Sequence, residues 1–243
     1  MKFVCIFILI ILNSVVSDAD AALSLDRTRL IINEEQNAVS LRVTNRSESD
    51  PYLAQGWVED ADGQLIDQFM VVPPVQRIDA GQYSIFRLQQ LANVVRLPND
   101  RESVFYFNLR EIPQRSHKEN VLTLAIQTRI KVFWRPKSLK VTKADDTVPG
   151  MKAVTLVKSA RGYEINNPTP YYLSITGMAL KEKVKISPFM VPPKGSYTLK
   201  HQGSEPVEKI LLTAINDYGS PRTLSFSCRK DICQIEDIII PKR

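Results

Sequence analysis

The sequence predicts an all-β chain of two immunoglobulin-like β-sandwich domains, and three observations carry that prediction. Beyond the first twenty or so residues no segment sustains helical periodicity. Short apolar or alternating runs recur instead, punctuated by Pro, Gly, Asn and Asp. The pattern of the first half then returns in the second.

The first half offers candidate strands at 23–32, 39–44, 52–59, 69–72, 83–88, 104–110 and 121–134. Seven runs in about 110 residues is the size of one immunoglobulin-like domain. The repeat is visible residue by residue. Asn45 followed by Pro51-Tyr52-Leu53 has a counterpart in Asn167 followed by Pro170-Tyr171-Tyr172-Leu173, and Phe69-Met70 with Pro73-Pro74 has one in Phe189-Met190 with Pro192-Pro193. Leu53 and Phe69 share one offset to Leu173 and Phe189. Gly81 and Tyr83 answer to Gly195 and Tyr197, and Asn108 to Asn216, as loops shorten. A common offset with preserved order points to tandem duplication. The expected division is 22–136, a linker at 137–150 where alternation gives way to charge, Pro and Gly, and 151–243.

Residues 1–21 read as a secretory signal. Lys2 precedes an apolar stretch from Phe3 to Leu12, and the segment ends in Ala19-Asp20-Ala21, so cleavage would leave a chain starting at Ala22. An uncleaved anchor is the competing reading, but the stretch is far below the roughly 18 to 20 residues a membrane span needs. Of three cysteines, Cys5 leaves with the signal. Cys228 and Cys233 have spacing suited to a bridge across a hairpin in an oxidising compartment. Zinc is the alternative for this pair, and it would need two more ligands where the chain has only the isolated His117 and His201. The formal charge is +6, and losing the signal, with one Lys and two Asp, makes the remainder more basic by one. On an exported chain that excess fits an acidic protein or a membrane surface better than nucleic acid, and a solvated basic surface is its ordinary explanation.

No reaction centre assembles from the sequence. There is no G-x-S-x-G, no H-E-x-x-H and no Gly-rich phosphate loop. Glu34-Glu35 and Asp145-Asp146 lie in turn-like or linker stretches, and His117 in a polar loop. The expectation is a binding or assembly protein without enzymatic activity or cofactor.

The run 121–134 stands apart. One face carries Leu122, Leu124, Ile126 and Ile130; the other carries Val121, Thr123, Ala125, Gln127, Arg129 and Lys131. An ordinary half-buried strand would show the same large-inward pattern. The residues around it, however, closely resemble the PapD-like periplasmic pilus (fimbrial) chaperones, with the P-pilus branch nearest. The matching stretches include Ser24-Leu-Asp-Arg-Thr-Arg29, Pro51-Tyr-Leu-Ala-Gln55 with Trp57, Pro73-Pro-Val-Gln-Arg77, Asp100-Arg-Glu-Ser103, Phe105-Tyr-Phe-Asn-Leu-Arg-Glu-Ile-Pro113, Asn120-Val-Leu122, Asn167-Pro-Thr-Pro-Tyr-Tyr172 and Ile215-Asn-Asp-Tyr-Gly219. They occur in the same order over nearly the whole chain after the signal.

The resemblance implies a periplasmic chaperone, its two sandwiches in a boomerang arrangement, that stabilises pilin subunits and delivers them to an outer-membrane usher. Strand donation by such chaperones is an established form of strand addition. Arg29 and Lys131 fall on the family's anchors for the subunit's C-terminal carboxylate, and Leu122, Leu124, Ile126 and Ile130 on its donor strand. Glu102, Arg135 and Asp217 fall on an interdomain ion network. Trp134 departs from the Tyr usual before Arg-Pro, and the short loop 114–120 resembles the branch that builds rod-like pili. A free molecule is expected to cap its exposed strand by self-association. Strict alternation places Lys131 on the face opposite the donated leucines, and the sequence does not explain how one groove engages both. The tail from Ile235 to Ile240 reads as an added edge strand or a partner contact. Two other classes share the fold expectation: a structural surface protein, which needs no converging cations, and a carbohydrate-binding module, which needs exposed aromatic platforms.

Overall fold

A computed structural model describes residues 21–115, 122–141, 149–159, 162–180, 182–200 and 207–241. The signal segment with Cys5, the residues His117, Val121 and His201, and the Asp145-Asp146 pair lie outside the described residues. The first half forms β1 (Leu23–Leu25), β2 (Arg29–Asn33), β3 (Ala38–Asn45), β4 (Tyr52–Glu59), β5 (Phe69–Val72), β6 (Val75–Ile78), β7 (Tyr83–Gln90), β8 (Ser103–Pro113) and β9 (Gln127–Arg135). They build a four-stranded sheet, β1-β3-β7-β5, and a five-stranded sheet, β2-β9-β8-β4-β6.

Alternation explains the packing of these sheets. Leu41 and Val43 of β3, Ala54 and Val58 of β4, Phe86 and Leu88 of β7, and Phe105, Phe107 and Leu109 of β8 all point into one core. Gly56 sits where the sheets come closest. A Cβ there would lie 3.0 Å from Val71 and 3.1 Å from Phe86, so glycine is what lets β4 approach the opposing layer.

Two strand expectations are corrected. The run 23–32 is two strands in different sheets: β1 pairs antiparallel with β3, whereas β2 runs parallel to β9. The break at Asp26 to Thr28 carries the chain across the sandwich, so Leu23 and the pair Leu30 and Ile32 enter the core from different layers. The buried Glu111 carboxylate accepts the Leu23 N–H at 2.9 Å and ties the start of this stretch to β8. The run 121–134 is also shorter as a strand, since β9 begins at Gln127 and residues 122–126 are exposed and join no ladder.

The second half forms β10 (Thr155–Ser159), β11 (Gly162–Asn167), β12 (Leu173–Ala179), β13 (Lys183–Val184), β14 (Phe189–Val191), β15 (Gly195–Lys200), β16 (Lys209–Ile215), β17 (Pro221–Arg229) and β18 (Ile232–Ile239). Hydrogen bonds run continuously through β13-β12-β16-β17-β18-β10-β11-β15, with β14 against β12. A separate core gathers Leu156, Ile165, Leu173, Ile175, Leu212 and Phe226. Only the start of β18 is interior, since Ile232 to Gln234 pair both β17 and β10; the tail residues from Ile235 to Ile239 pair β17 on one side and have no strand on the other among the described residues. Cys228 and Cys233 face each other across this hairpin and form a disulfide. Closing so short a loop contributes roughly 2 kcal/mol in the chain-entropy model, enough to fix the hairpin.

The repeated asparagines do one job twice. Asn45 donates to the carbonyls of Asp50 and Ile78 and accepts the Ser47 N–H; Asn167 donates to those of Tyr171 and Pro192 and accepts the Thr169 N–H. Both are buried where a strand leaves its sheet. The offset leucines differ: Leu53 is exposed and Leu173 is core.

Arg135, the last residue of β9, joins the two halves. Its guanidinium meets Glu102 at 2.6 Å and grips Asp217 with two hydrogen bonds of 3.0 and 3.2 Å. The other Glu102 oxygen accepts the Tyr172 N–H at 2.8 Å, and Glu102 donates its own N–H to Pro170. Burial pushes the Glu102 carboxyl above its ordinary value against the pull of Arg135. Beside them, Gly219 adopts φ +82° in the turn after β16, and a Cβ on it would fall 2.6 Å from the Thr28 hydroxyl. Outside this buried set, Lys194 reaches Asp100 at 2.7 Å across the junction. Desolvation makes a buried ion pair a weak net stabiliser, but removing one partner strands the other. Arg135→Met is therefore expected to lower stability by about 3 to 5 kcal/mol, and Glu102→Gln in the same chain to restore part of it, as read from urea unfolding midpoints.

Candidate functional site

The site begins with how β2 and β9 lie together. In their parallel register Arg29 stands beside Lys131, Ile31 beside Phe133 and Asn33 beside Arg135. Ile130, Val132 and Trp134 point into the core, so Lys131, Phe133 and Arg135 must face outward, toward the second domain. The same alternation on β2 buries Leu30 and Ile32 and turns Arg29 to the outer face.

Two cations are thus held side by side at the junction. Arg29 donates to the Ile215 carbonyl at 3.2 Å, and the Lys131 ammonium lies 3.4 Å from the Ser174 hydroxyl, both partners belonging to the second domain. Arg29 also lies over the Phe133 ring at 5.9 Å, and its Nε is buried without a hydrogen-bond partner. Neither cation forms a salt bridge with a described carboxylate. Burial pulls the Lys131 ammonium below its ordinary value, and Arg29 beside it pulls the same way. Arg29 is lowered by burial against the attraction of Asp217 and Glu102. Such a pair lacks a negative partner, and its planar fork beside a point charge suits a carboxylate.

The expected donor residues divide. Leu122, Leu124 and Ile126 are 82, 65 and 38 % exposed on the extended stretch that leads into β9. Ile130 is 8 % exposed and packs in the first domain's own core, which corrects its assignment: it lies inside the sandwich, so it is not free to be donated. Beyond the ladder one further backbone bond, from the Glu111 N–H to the Ile126 carbonyl at 2.9 Å, ties the start of the exposed stretch to β8. Even-numbered positions thus change role along one strand, core from Ile130 onward and uncovered from Ile126 back.

Across the same outer face runs a chain of side chains that the sequence reading passed over. Trp57 donates to Glu59 at 2.6 Å, Asn108 to Glu59 at 3.0 Å, Gln127 to Asn108 at 3.0 Å and Arg110 to Gln127 at 3.2 Å. Alternation on β4, β8 and β9 was the available signal, since it puts these five on one face. The two tryptophans offer no open platform: Trp134 is buried and bonded to Gln90, and Trp57 is half-buried with Arg110 at 5.0 Å over its ring. Glu34 and Glu35 are occupied with the start of the linker, accepting the Lys137 N–H and pairing with Lys140 respectively. Among the described residues no His, Cys, Asp and Glu cluster could hold a metal ion.

Known proteins share this chain's sequence pattern and fold. Residues 22–140 match the family described as Pili and flagellar-assembly chaperone, PapD N-terminal domain, and residues 149–226 match Pili assembly chaperone PapD, C-terminal domain. The chain is 40 % identical over 234 residues to the probable fimbrial chaperone YfcS of Escherichia coli K12, covering 94 % of this chain and 91 % of that one. It is 41 % identical over 228 residues to the chaperone protein PapD of Escherichia coli, covering 91 % and 93 %. Among solved structures, the YadV chaperone superposes with a TM-score of 0.70 at 29 % identity, over 86 % of this chain and all of that one. The SafB chaperone, solved with the SafA pilin of Salmonella enterica, shares the fold at a TM-score of 0.74 and 24 % identity, over 87 % of this chain and 99 % of the other. The chain therefore belongs to the PapD-like pilus-assembly chaperones, a family of periplasmic, non-enzymatic proteins that act in building fimbriae.

Proposed function

We propose that the chain holds a pilin subunit by two linked contacts. The subunit's C-terminal carboxylate lies on Arg29 and Lys131, while Leu122, Leu124 and Ile126 fill a groove in the subunit's incomplete sandwich. The observation that carries this reading is the course of one stretch of chain: Lys131 of β9 lies beside Arg29 of β2 without a carboxylate partner among the described residues, and the residues leading into β9 leave three aliphatics uncovered on the opposite face. The opposition that alternation creates is not an obstacle, because the cations belong to the interdomain cleft and the aliphatics to a segment that has left its sheet.

Magnitudes assign the roles. Burying three such side chains is worth at most about 5 to 9 kcal/mol before ordering costs, so the apolar contact supplies most of the affinity. The carboxylate contact mainly fixes register, since a slip of one residue presents the wrong face. Delivery to an outer-membrane usher, without nucleotide, completes the role. In the free protein the exposed aliphatics favour capping by a second copy.

Co-expression with candidate pilins tests the anchor. Lys131→Met and Arg29→Ala are each expected to reduce recovered subunit by a factor of about 30 or more, which corresponds to losing one member of a desolvated charge contact. Equal recovery from all three chains would overturn the anchor.

Lys131 gives a pH test with a defined sign. A carboxylate would raise its lowered pKa, so binding takes up a proton on the alkaline side, and affinity falls as pH rises through the free-state pKa. Calorimetry of a peptide with a free C-terminal carboxylate, in buffers of different ionisation enthalpy, checks this. Without subunit the unfolded chain binds more protons than the folded one between that pKa and the ordinary lysine value, so stability rises with pH there. Lys131→Met is accordingly expected to stabilise the free protein at neutral pH by less than about 1 kcal/mol, screening included, and to lose that advantage as the alkaline window is crossed.

A further inference from the structure

The donor segment needs something the cation pair does not supply, namely a fixed rotational phase where it leaves the sheet. A free extended stretch can twist, and a half-turn would send Thr123 and Ala125, rather than Leu122 and Leu124, into a partner's groove. Gln127 is the first residue of β9 and lies directly opposite Arg110 in the ladder. Its side chain is held at both ends: its amide nitrogen donates to Asn108, which is fully buried, and its amide oxygen accepts from Arg110. Asn108 passes the restraint to Glu59, which also accepts from Trp57, and Arg110 lies over that Trp57 ring. The result is a closed ring of five side chains from three adjacent strands, β4, β8 and β9.

Such an arrangement is costly to place by chance on an outer sheet face. Both polar atoms of Glu59, Asn108 and Gln127 find partners within it, and Gln127 with Arg110 forms the last pair of the ladder. From the geometry we infer that this ring is a phase lock for the donated segment. It holds the Gln127 side chain on the face that also bears Lys131, so Ile126, Leu124 and Leu122 must project to the opposite side. Gln127 is then a positioning residue. Arg29 and Lys131 set where the subunit's end lies along β9, and the ring sets which way the donated side chains point.

This inference rests on the donor reading above, and the test separates the two. Leu124→Cys and Thr123→Cys are made singly, with and without Gln127→Ala. Each chain is mixed with a pilin lacking its own donor strand, and alkylation of the introduced thiol is followed alongside affinity for that pilin. A second probe, a short peptide with a free C-terminal carboxylate, reports the anchor alone. With Gln127 present, the thiol at 124 is expected to be protected in the complex and the thiol at 123 to react. Gln127→Ala, at an exposed position, is expected to fold with an unchanged melting temperature and to bind the peptide within about twofold of the parent. It should bind the pilin about tenfold more weakly, and the contrast between the two thiols should shrink. Unchanged pilin affinity and thiol contrast in Gln127→Ala would overturn the phase lock, as would equal losses for pilin and peptide. A parent chain that shows no protection at either position would instead overturn the donor reading itself, and the phase lock with it.

Discussion

Ile130, Val132 and Trp134 bury one face of β9 in the first domain, and because strand side chains alternate, that burial forces Lys131, Phe133 and Arg135 to the other face. Three features of the molecule follow from this constraint. Lys131 meets Arg29 of the parallel neighbour β2 at the cleft. Arg135 meets Glu102 and Asp217 and joins the two domains. Toward the N-terminal end of the strand the core runs out while the alternation continues, leaving Leu122, Leu124 and Ile126 uncovered. A strand that packed on both faces could not provide these features together.

The junction shows how charges of the same sign are treated differently within a few residues. Arg135 is surrounded: two carboxylates, and the Tyr171 ring at 5.0 Å, and it is held above its ordinary pKa because that attraction outweighs its burial. Arg29 and Lys131 are half-buried without a salt-bridge partner among the described residues, and their burial shifts both down. The first arrangement maintains a fixed contact between domains. The second holds an unfavourable pair of like charges, which costs the free protein some stability and which, under the proposed anchor role, a bound carboxylate would relieve. Gly219 belongs with the first, because only a residue without Cβ lets the turn after β16 lie against Thr28.

The asparagines illustrate duplication and divergence together. Asn45 and Asn167 keep the same hydrogen bonds at the same strand exit in each domain. Asn108 and Asn216 also correspond in sequence order, but the first links Glu59 to Gln127 on a sheet face, and the second caps the turn at Tyr218 and Ser220. All four amides are buried, but only the pair at the strand exits kept its partners.

The sequence by itself determined what local periodicity and spacing can carry: the β class, most strand positions, the two-domain repeat, the Cys228 and Cys233 pairing across a hairpin, and residue types that mark a family. It also named Arg29, Lys131, Glu102, Arg135 and Asp217, although only through resemblance, since an isolated charge looks the same in solvent as in a cleft. Tertiary structure decided the rest, because burial is a property of neighbours far away in the chain. It split 23–32 between two sheets, moved Ile130 from the donated face into the core, and joined the start of β18 to β10 as well as to β17. It also brought Trp57, Glu59, Asn108, Arg110 and Gln127 into one ring across three strands, and no local pattern in the sequence encodes a register among strands.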